Sequence, residues 1–218
     1  MCCVLASQAT DVSAARTTSG VGVDSRPVIY VLPLGDELPA ADVAAVEASL
    51  AAFYEAEVRV RPRVPLPASS YTAARRRWRA EKLLVFLGAA MPADGTRILG
   101  LTGADISTTK GRFDDWGVIG LGQEPGVATV ISSFRCRKRA RDAVHARERL
   151  AKVAVHEIGH SLGLDHCPTA GCLMHDAEGK VVTLDGEIDL CPRCRARLAA
   201  AGHPIPEAPA IPWRRPLR

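Results

Sequence analysis

The chain has 218 residues, of which 47% are hydrophobic, with 28 lysines and arginines against 24 acidic residues and a formal net charge of +4. That length suits one compact domain with a substantial core. The small net charge supplies little of the counterion release that drives nucleic-acid binding, and no apolar run approaches the roughly 18 residues of a membrane-spanning helix.

Residues 1–26 lack a basic n-region and an adequate apolar h-region, so they read as a flexible lead-in and not as a signal peptide. A cytoplasmic location with reduced thiols is the expectation. Val28 to Leu34 (VIYVLPL) is a short apolar run rich in β-branched residues, predicted to be a buried strand. Pro39 then opens a helical pattern of about fifteen residues, and Val58 to Arg61 gives a second strand, ended by Pro62, Pro65 and Pro67. Ser70 is placed to cap a helix over YTAARRRWRAEKLLVFLG that stops near Gly88. Arg97 to Thr102 is a third strand, and this alternation of strand and helix predicts a mostly parallel sheet. Ser107 to Asp115 is polar and reads as a loop. Trp116 to Gly122 and Val127 to Phe134 are two further strands joined by a Glu124-Pro125-Gly126 turn. The last sixteen residues hold five prolines and are expected to be mobile.

Between those last strands and the tail lies HEIGHSLGLDHC, residues 156–167. On a helix, His156 and His160 share one face and can reach a single zinc ion. Gly163 can take the left-handed conformation that ends a helix and turns the chain back, which brings His166 in as a third ligand. Three protein ligands leave a fourth position open, the arrangement of a catalytic zinc. Glu157 stands beside the first ligand, where it can take a proton from water as general base. Ala151, Ala154, Val155, Ile158 and Leu162 fall on the opposite side of the same helix, a face for the core.

Four cysteines follow: Cys167, Cys172, Cys191 and Cys194, the last two as CPRC. Two close pairs of thiols suit a closed, structural four-cysteine zinc; disulfides and unligated buried thiols are the alternatives. Cys2, Cys3 and Cys136 remain as ordinary free thiols, with a masking thiolate or acylation as the other roles weighed. Met174, taken alone, is a flexible core filler.

Taken together, HExxHxxGxxHC, four residues, Cys, one residue, Met, sixteen residues and CxxC closely resemble the archaemetzincins, a family of metzincin-type zinc metallopeptidases with an added four-cysteine zinc. The spacer after Met174 is one residue shorter than the family's pattern. The resemblance implies a catalytic zinc on His156, His160 and His166, Glu157 as general base, a structural zinc on Cys167, Cys172, Cys191 and Cys194, and Met174 in the methionine turn beneath the catalytic ion. It implies an α+β zincin-like fold: a mixed, mostly parallel five-stranded sheet with an antiparallel edge strand bordering the cleft, a zinc helix and a small C-terminal subdomain. The expected peptidase domain spans 27–201, with an upper part 27–163, a lower part 164–201 and a proline-rich tail over 202–218.

The function expected is hydrolysis of peptide bonds by a zinc-activated water, in a monomer with two zinc ions and a peptide or protein substrate. The alternative is an inactive, zinc-stabilised binding module, against which the retained Glu157 argues. Arginine runs at 75–79 and 135–149 read as solvated faces in preference to a nucleic-acid surface.

Overall fold

The run VIYVLPL forms strand β1 (Val28–Leu34), buried over its last six residues. Burial on both faces requires a layer on each side. Ile29 and Val31 pack with Val46, Leu50 and Phe53 of helix α1 (Ala40–Tyr54) and with the long helix α4 (Ala143–Ser161). Tyr30, Leu32 and Leu34 pack with Leu83 and Leu87 of α2 (Ala80–Ala89). The sheet adds β2 (Glu57–Val60), β5 (Arg97–Thr102), β8 (Gly120–Gly122) and β9 (Ala128–Ser132) in the order β2-β1-β5-β9-β8. Four strands are parallel and β8 is an antiparallel edge, as the sequence led us to expect. This computed structural model describes residues 26–36, 38–122, 126–211 and 213. The lead-in over 1–25, Cys2, Cys3, Glu124, Pro125 and the end of the tail lie outside them.

Three local expectations need correction. The helix anticipated from Tyr71 is α-helical only from Ala80; before it come β3 (Tyr71–Thr72), a 3-10 turn (Ala73–Arg75) and β4 (Arg77–Arg79), the two strands antiparallel to one another. Arg76 takes a left-handed φ of 53° between them. Tyr71 sits opposite Trp78 with ring centroids 5.0 Å apart, so a cross-strand aromatic pair outweighs helix propensity. Second, Ser107–Asp115 is not a loop. β6 (Ile106–Lys110) and β7 (Phe113–Val118) form a hairpin that joins β3 and β4 in a second, four-stranded sheet. The single strand expected over 116–122 is therefore split between two sheets at Ile119. Third, the proline-rich tail is docked as far as it is described. Ile211 is 4% exposed, Arg195 donates to the Pro206 carbonyl at 2.8 Å, and the Trp213 indole donates to the Ile188 carbonyl at 2.8 Å.

Part of the basic runs is tied inside the fold. Arg77 and Arg135 both bind Asp105 at 2.9 Å, Arg79 binds Glu81 at 2.9 Å, and Arg137 binds Asp42 at 3.1 Å. These four are inter-element ties, while Arg76, Lys138, Arg139 and Arg141 are exposed, as solvated faces would be.

Helix α4 begins where Asp142 accepts the His145 amide hydrogen at 2.8 Å. From Arg149 to Ser161 every residue is buried. Arg149 grips Asp185 through Nε at 2.6 Å and Nη2 at 2.7 Å, and donates to the Lys138 and Cys136 carbonyls at 3.0 and 3.3 Å. The helix is thereby tied to the short helix α3 (Ser133–Cys136) before it and to the 3-10 turn Val181–Gly186 after it.

The Arg149 hydrogen bonds, opposed by burial and aided by His145, bring the Asp185 carboxyl down to about 2. A depressed carboxyl pKa adds stability above the free value of about 4, and that stability is lost as pH falls through about 2. Asp185→Asn is expected to cost about 3 kcal/mol at neutral pH, the low end for breaking a buried pair, because the Asp185 side chain is 34% exposed. Denaturant unfolding of both proteins checks this: the gap should narrow on acidification below about pH 4, and equal midpoints at neutral pH would refute it.

Candidate active site

The structure gathers all seven sequence-predicted ligands into two sets: His156, His160 and His166, and Cys167, Cys172, Cys191 and Cys194. Within each set the donor atoms lie within 4.8 Å of one another.

The two helical histidines are fixed by main-chain carbonyls. His156 Nδ1 lies 2.6 Å from the Leu173 oxygen and His160 Nδ1 lies 2.7 Å from the Leu164 oxygen. A carbonyl only accepts, so each Nδ1 carries the proton and each Nε2 presents a lone pair. These two Nε2 atoms face one another at 2.9 Å. Neither can donate to the other, and a cation shared between them relieves the repulsion. Burial first, then neighbouring His160, pushes His156 down to about 3, keeping it in the neutral, ligating form. The donor set fits zinc.

Gly163 ends α4 with φ of 90°, and the Leu164 amide returns to the Gly159 carbonyl at 3.0 Å, as in a glycine-terminated helix. The reversed chain delivers His166, whose side chain is half exposed. Met174 is fully buried under the helix, and a Cβ on Gly159 would stand 2.7 Å from its sulfur.

The cysteine set is not disulfide-bonded: Cys167 and Cys191 sulfurs are 3.7 Å apart, Cys172 and Cys194 sulfurs 3.8 Å apart, against about 2.05 Å for a disulfide. Burial, reinforced by the neighbouring thiols, pushes Cys172 and Cys194 up. Cys167, also buried, is brought down to about 6 by hydrogen bonds from Thr169 and the adjacent thiols. Four such sulfurs become thiolates together only around a cation. Cys136 is a buried thiol apart from both sets, pushed up to about 12 chiefly by burial.

Glu157 is 6% exposed and lines a cavity of about 220 Å³ together with the three histidines. The hairpin wall of that cavity includes Thr108, Lys110 and Trp116, and the far wall runs from His175 to Gly179. β8 lies directly on Glu157: a Cβ at Gly120 would stand 2.4 Å from its Oε1, and one at Gly122 would stand 3.1 Å from His160 Cβ. Leu121, between them, packs on the opposite side. The sequence pattern places Gly120 and Gly122 only within a strand. The usable signal was glycine at alternate positions, the mark of close backbone approach on one strand face.

An α+β sheet with a buried helix carrying two histidines and a glutamate, opposed by an antiparallel edge strand, defines a zinc metallopeptidase of metzincin type. Comparison with known proteins gives the family. The model of peptidase family M54 matches residues 41–199. Archaemetzincin of Archaeoglobus fulgidus is 33% identical over 170 residues, covering 78% of this chain and 98% of its own, and that of Haloquadratum walsbyi is 31% identical over 155 residues, covering 67% and 85%. The crystal structure of Methanopyrus kandleri archaemetzincin superposes with a TM-score of 0.71 at 29% identity, covering 83% of this chain and 98% of that one. A zinc-dependent peptidase from Methanocorpusculum labreanum shares the fold, with a TM-score of 0.64 at 24% identity over 78% of this chain and 99% of its own. The chain belongs to peptidase family M54, the archaemetzincins.

Gly120→Ala is expected to push the Glu157 carboxylate out of place. A displacement near 1 Å should lower kcat/KM for peptide hydrolysis by about 10²-fold. Parental kcat/KM in this variant would show that the close seating of Glu157 on β8 is dispensable.

Proposed function

We propose that His156, His160 and His166 hold the catalytic zinc, that Glu157 is the general base, and that Cys167, Cys172, Cys191 and Cys194 hold a second zinc with a structural role. The observation that carries this reading is the pair of facing Nε2 lone pairs, with Glu157 in the same cavity. When bound, the catalytic zinc supplies a Lewis acid that polarises the scissile carbonyl and brings the pKa of water toward about 7.

The protein's own groups do the rest. β8 pairs with β9 on one side, and among the described strands nothing pairs with its other edge. Its free N–H and C=O groups align an extended peptide as an added strand. Glu157, seated on Gly120, accepts the proton of the attacking water and passes it to the leaving amine. Apolar Ile119, Val153 and Leu184 line the cavity and limit competing water.

In this reading 27–201 is one peptidase domain whose upper part (27–163) and lower part (164–201) meet at the cleft. One chain carries every residue of the site, so a monomer suffices. Unpaired thiols among the described residues favour a reducing cytoplasm, and no described helix is long and apolar enough to cross a membrane.

Glu157→Gln keeps the side chain's size but cannot accept the proton. Hydrolysis should fall by about 10²–10⁴-fold with zinc content and melting temperature near the parent's. Unchanged turnover in Glu157→Gln would remove Glu157 from the mechanism.

Elemental analysis of zinc-loaded protein should find two zinc ions per chain, the histidine-bound ion leaving first to a chelator because its site is open. Replacing Cys191 and Cys194 by serine should cost folding as well as metal, since structural zinc binding is itself folding free energy. A single zinc in the parent, or a parental melt in the double variant, counts against the two-ion reading.

A further inference from the structure

The three imidazoles are not held alike. His156 and His160 are each locked by a main-chain carbonyl on Nδ1. His166 stands on the turn beyond Gly163 with its side chain half exposed, and its Nδ1 faces a side chain instead: Asp176 Oδ2, at 3.9 Å.

The placement of Asp176 is built into the backbone. The Cys167 amide donates to the Met174 carbonyl at 2.7 Å, so the segment carrying His166 runs beside the segment leading to Asp176. Asp176 is pinned in turn, because its Oδ1 accepts the Glu178 amide hydrogen at 2.8 Å, a side-chain turn of the kind aspartate favours. One carboxylate oxygen is therefore committed to the loop, and the other is aimed at the imidazole. Asp176 and His166 both line the cavity that holds Glu157.

We propose that Asp176 is the positioning residue of His166: its Oδ2 accepts the Nδ1–H of that imidazole and directs Nε2 toward His156 and His160. The proposal rests on the reading that these three histidines bind zinc. A separation of 3.9 Å is too long for a formed hydrogen bond, and a small rotation of the half-exposed ring closes it. A carboxylate in this place does what a carbonyl does for the other two rings, fixing the tautomer and the ring plane, and it also raises the basicity of the ligating nitrogen. In this role Asp176 acts on the reaction through His166. Nothing in the HExxHxxGxxH spacing marks the residue that faces the third imidazole.

The test is the zinc affinity of the histidine site in the full-length, zinc-loaded chain, measured by competition with a chromogenic chelator. Asp176→Asn is the sharp variant. Its remaining oxygen can still take the Glu178 amide hydrogen, while the group facing His166 becomes an NH₂ donor that cannot accept. Affinity at the histidine site should fall about 10–100-fold, while the cysteine-bound zinc and the melting temperature stay parental. Asp176→Ala removes the acceptor by a different change and should fall in the same range. Affinities within about threefold of the parent in both variants would overturn the proposal, being far short of a lost outer-shell partner. His166→Ala separates this failure from a deeper one. If it retains zinc like the parent, the three-histidine reading itself is wrong. If it loses zinc while both Asp176 variants keep it, only the role of Asp176 is wrong.

Discussion

The structure turns on a helix that is buried on every side along its second half yet carries six polar side chains there. Between Arg149 and Ser161, α4 places Arg149, Lys152, His156, Glu157, His160 and Ser161 out of water. An unanswered polar group in such a place costs several kcal/mol, so the surroundings must answer each one. Asp185 answers Arg149, the Leu184 carbonyl takes the Lys152 ammonium at 2.8 Å, and the Leu173 and Leu164 carbonyls take the two imidazoles. All four of these partners belong to the chain after Gly163. The lower part of the molecule is thus shaped as much by the demands of α4 as by its own core, which explains how so small a segment holds a defined form.

The same segment packs two ligand sets into consecutive residues. His166 and Cys167 are joined by one peptide bond but belong to different sets. The Cys167 amide is bonded to Met174, and Met174 supports α4 at Gly159. In the proposed arrangement, a zinc on the cysteines would stiffen the turn that presents the half-exposed His166 and so would limit where the third imidazole can go.

Legibility in the sequence followed the range of the interactions. The helix of His156 and His160, the reversal at Gly163, and the cysteine pairs were readable because spacing along the chain fixes them locally. The five-stranded sheet was readable because β1, β5 and β9 are short segments rich in apolar and β-branched residues. The arginine-rich stretch from Tyr71 was misread because its outcome depends on partners far along the chain. Arg77 is held by Asp105, and Trp78 lies in register with Ile106, which no local pattern reveals. The docking of the described part of the tail depends on distant partners in the same way: Ile211 and Trp213 find burial and an acceptor on the lower part.

Gly120 and Gly122 join the fold to the chemistry. An exposed sheet edge invites unwanted pairing, and β8 keeps that liability small by being three residues long. Any side chain on its inner face would strike Glu157 or His160, so this edge must be bare where it meets α4. A bare edge brings its backbone close to Glu157, so in the proposed mechanism the glycines that let the helix be covered would also let a peptide on this edge lie close to the base. Side-chain selection must then come from elsewhere. The remaining walls of the cavity are the β6–β7 hairpin, through Thr108, Lys110 and Trp116, and the loop from His175 to Gly179. A Cβ at Gly179 would lie 3.5 Å from the Trp116 indole nitrogen, so the two walls nearly meet. Changes in either wall can alter which peptides fit, while α4 and β8 are held fixed by each other.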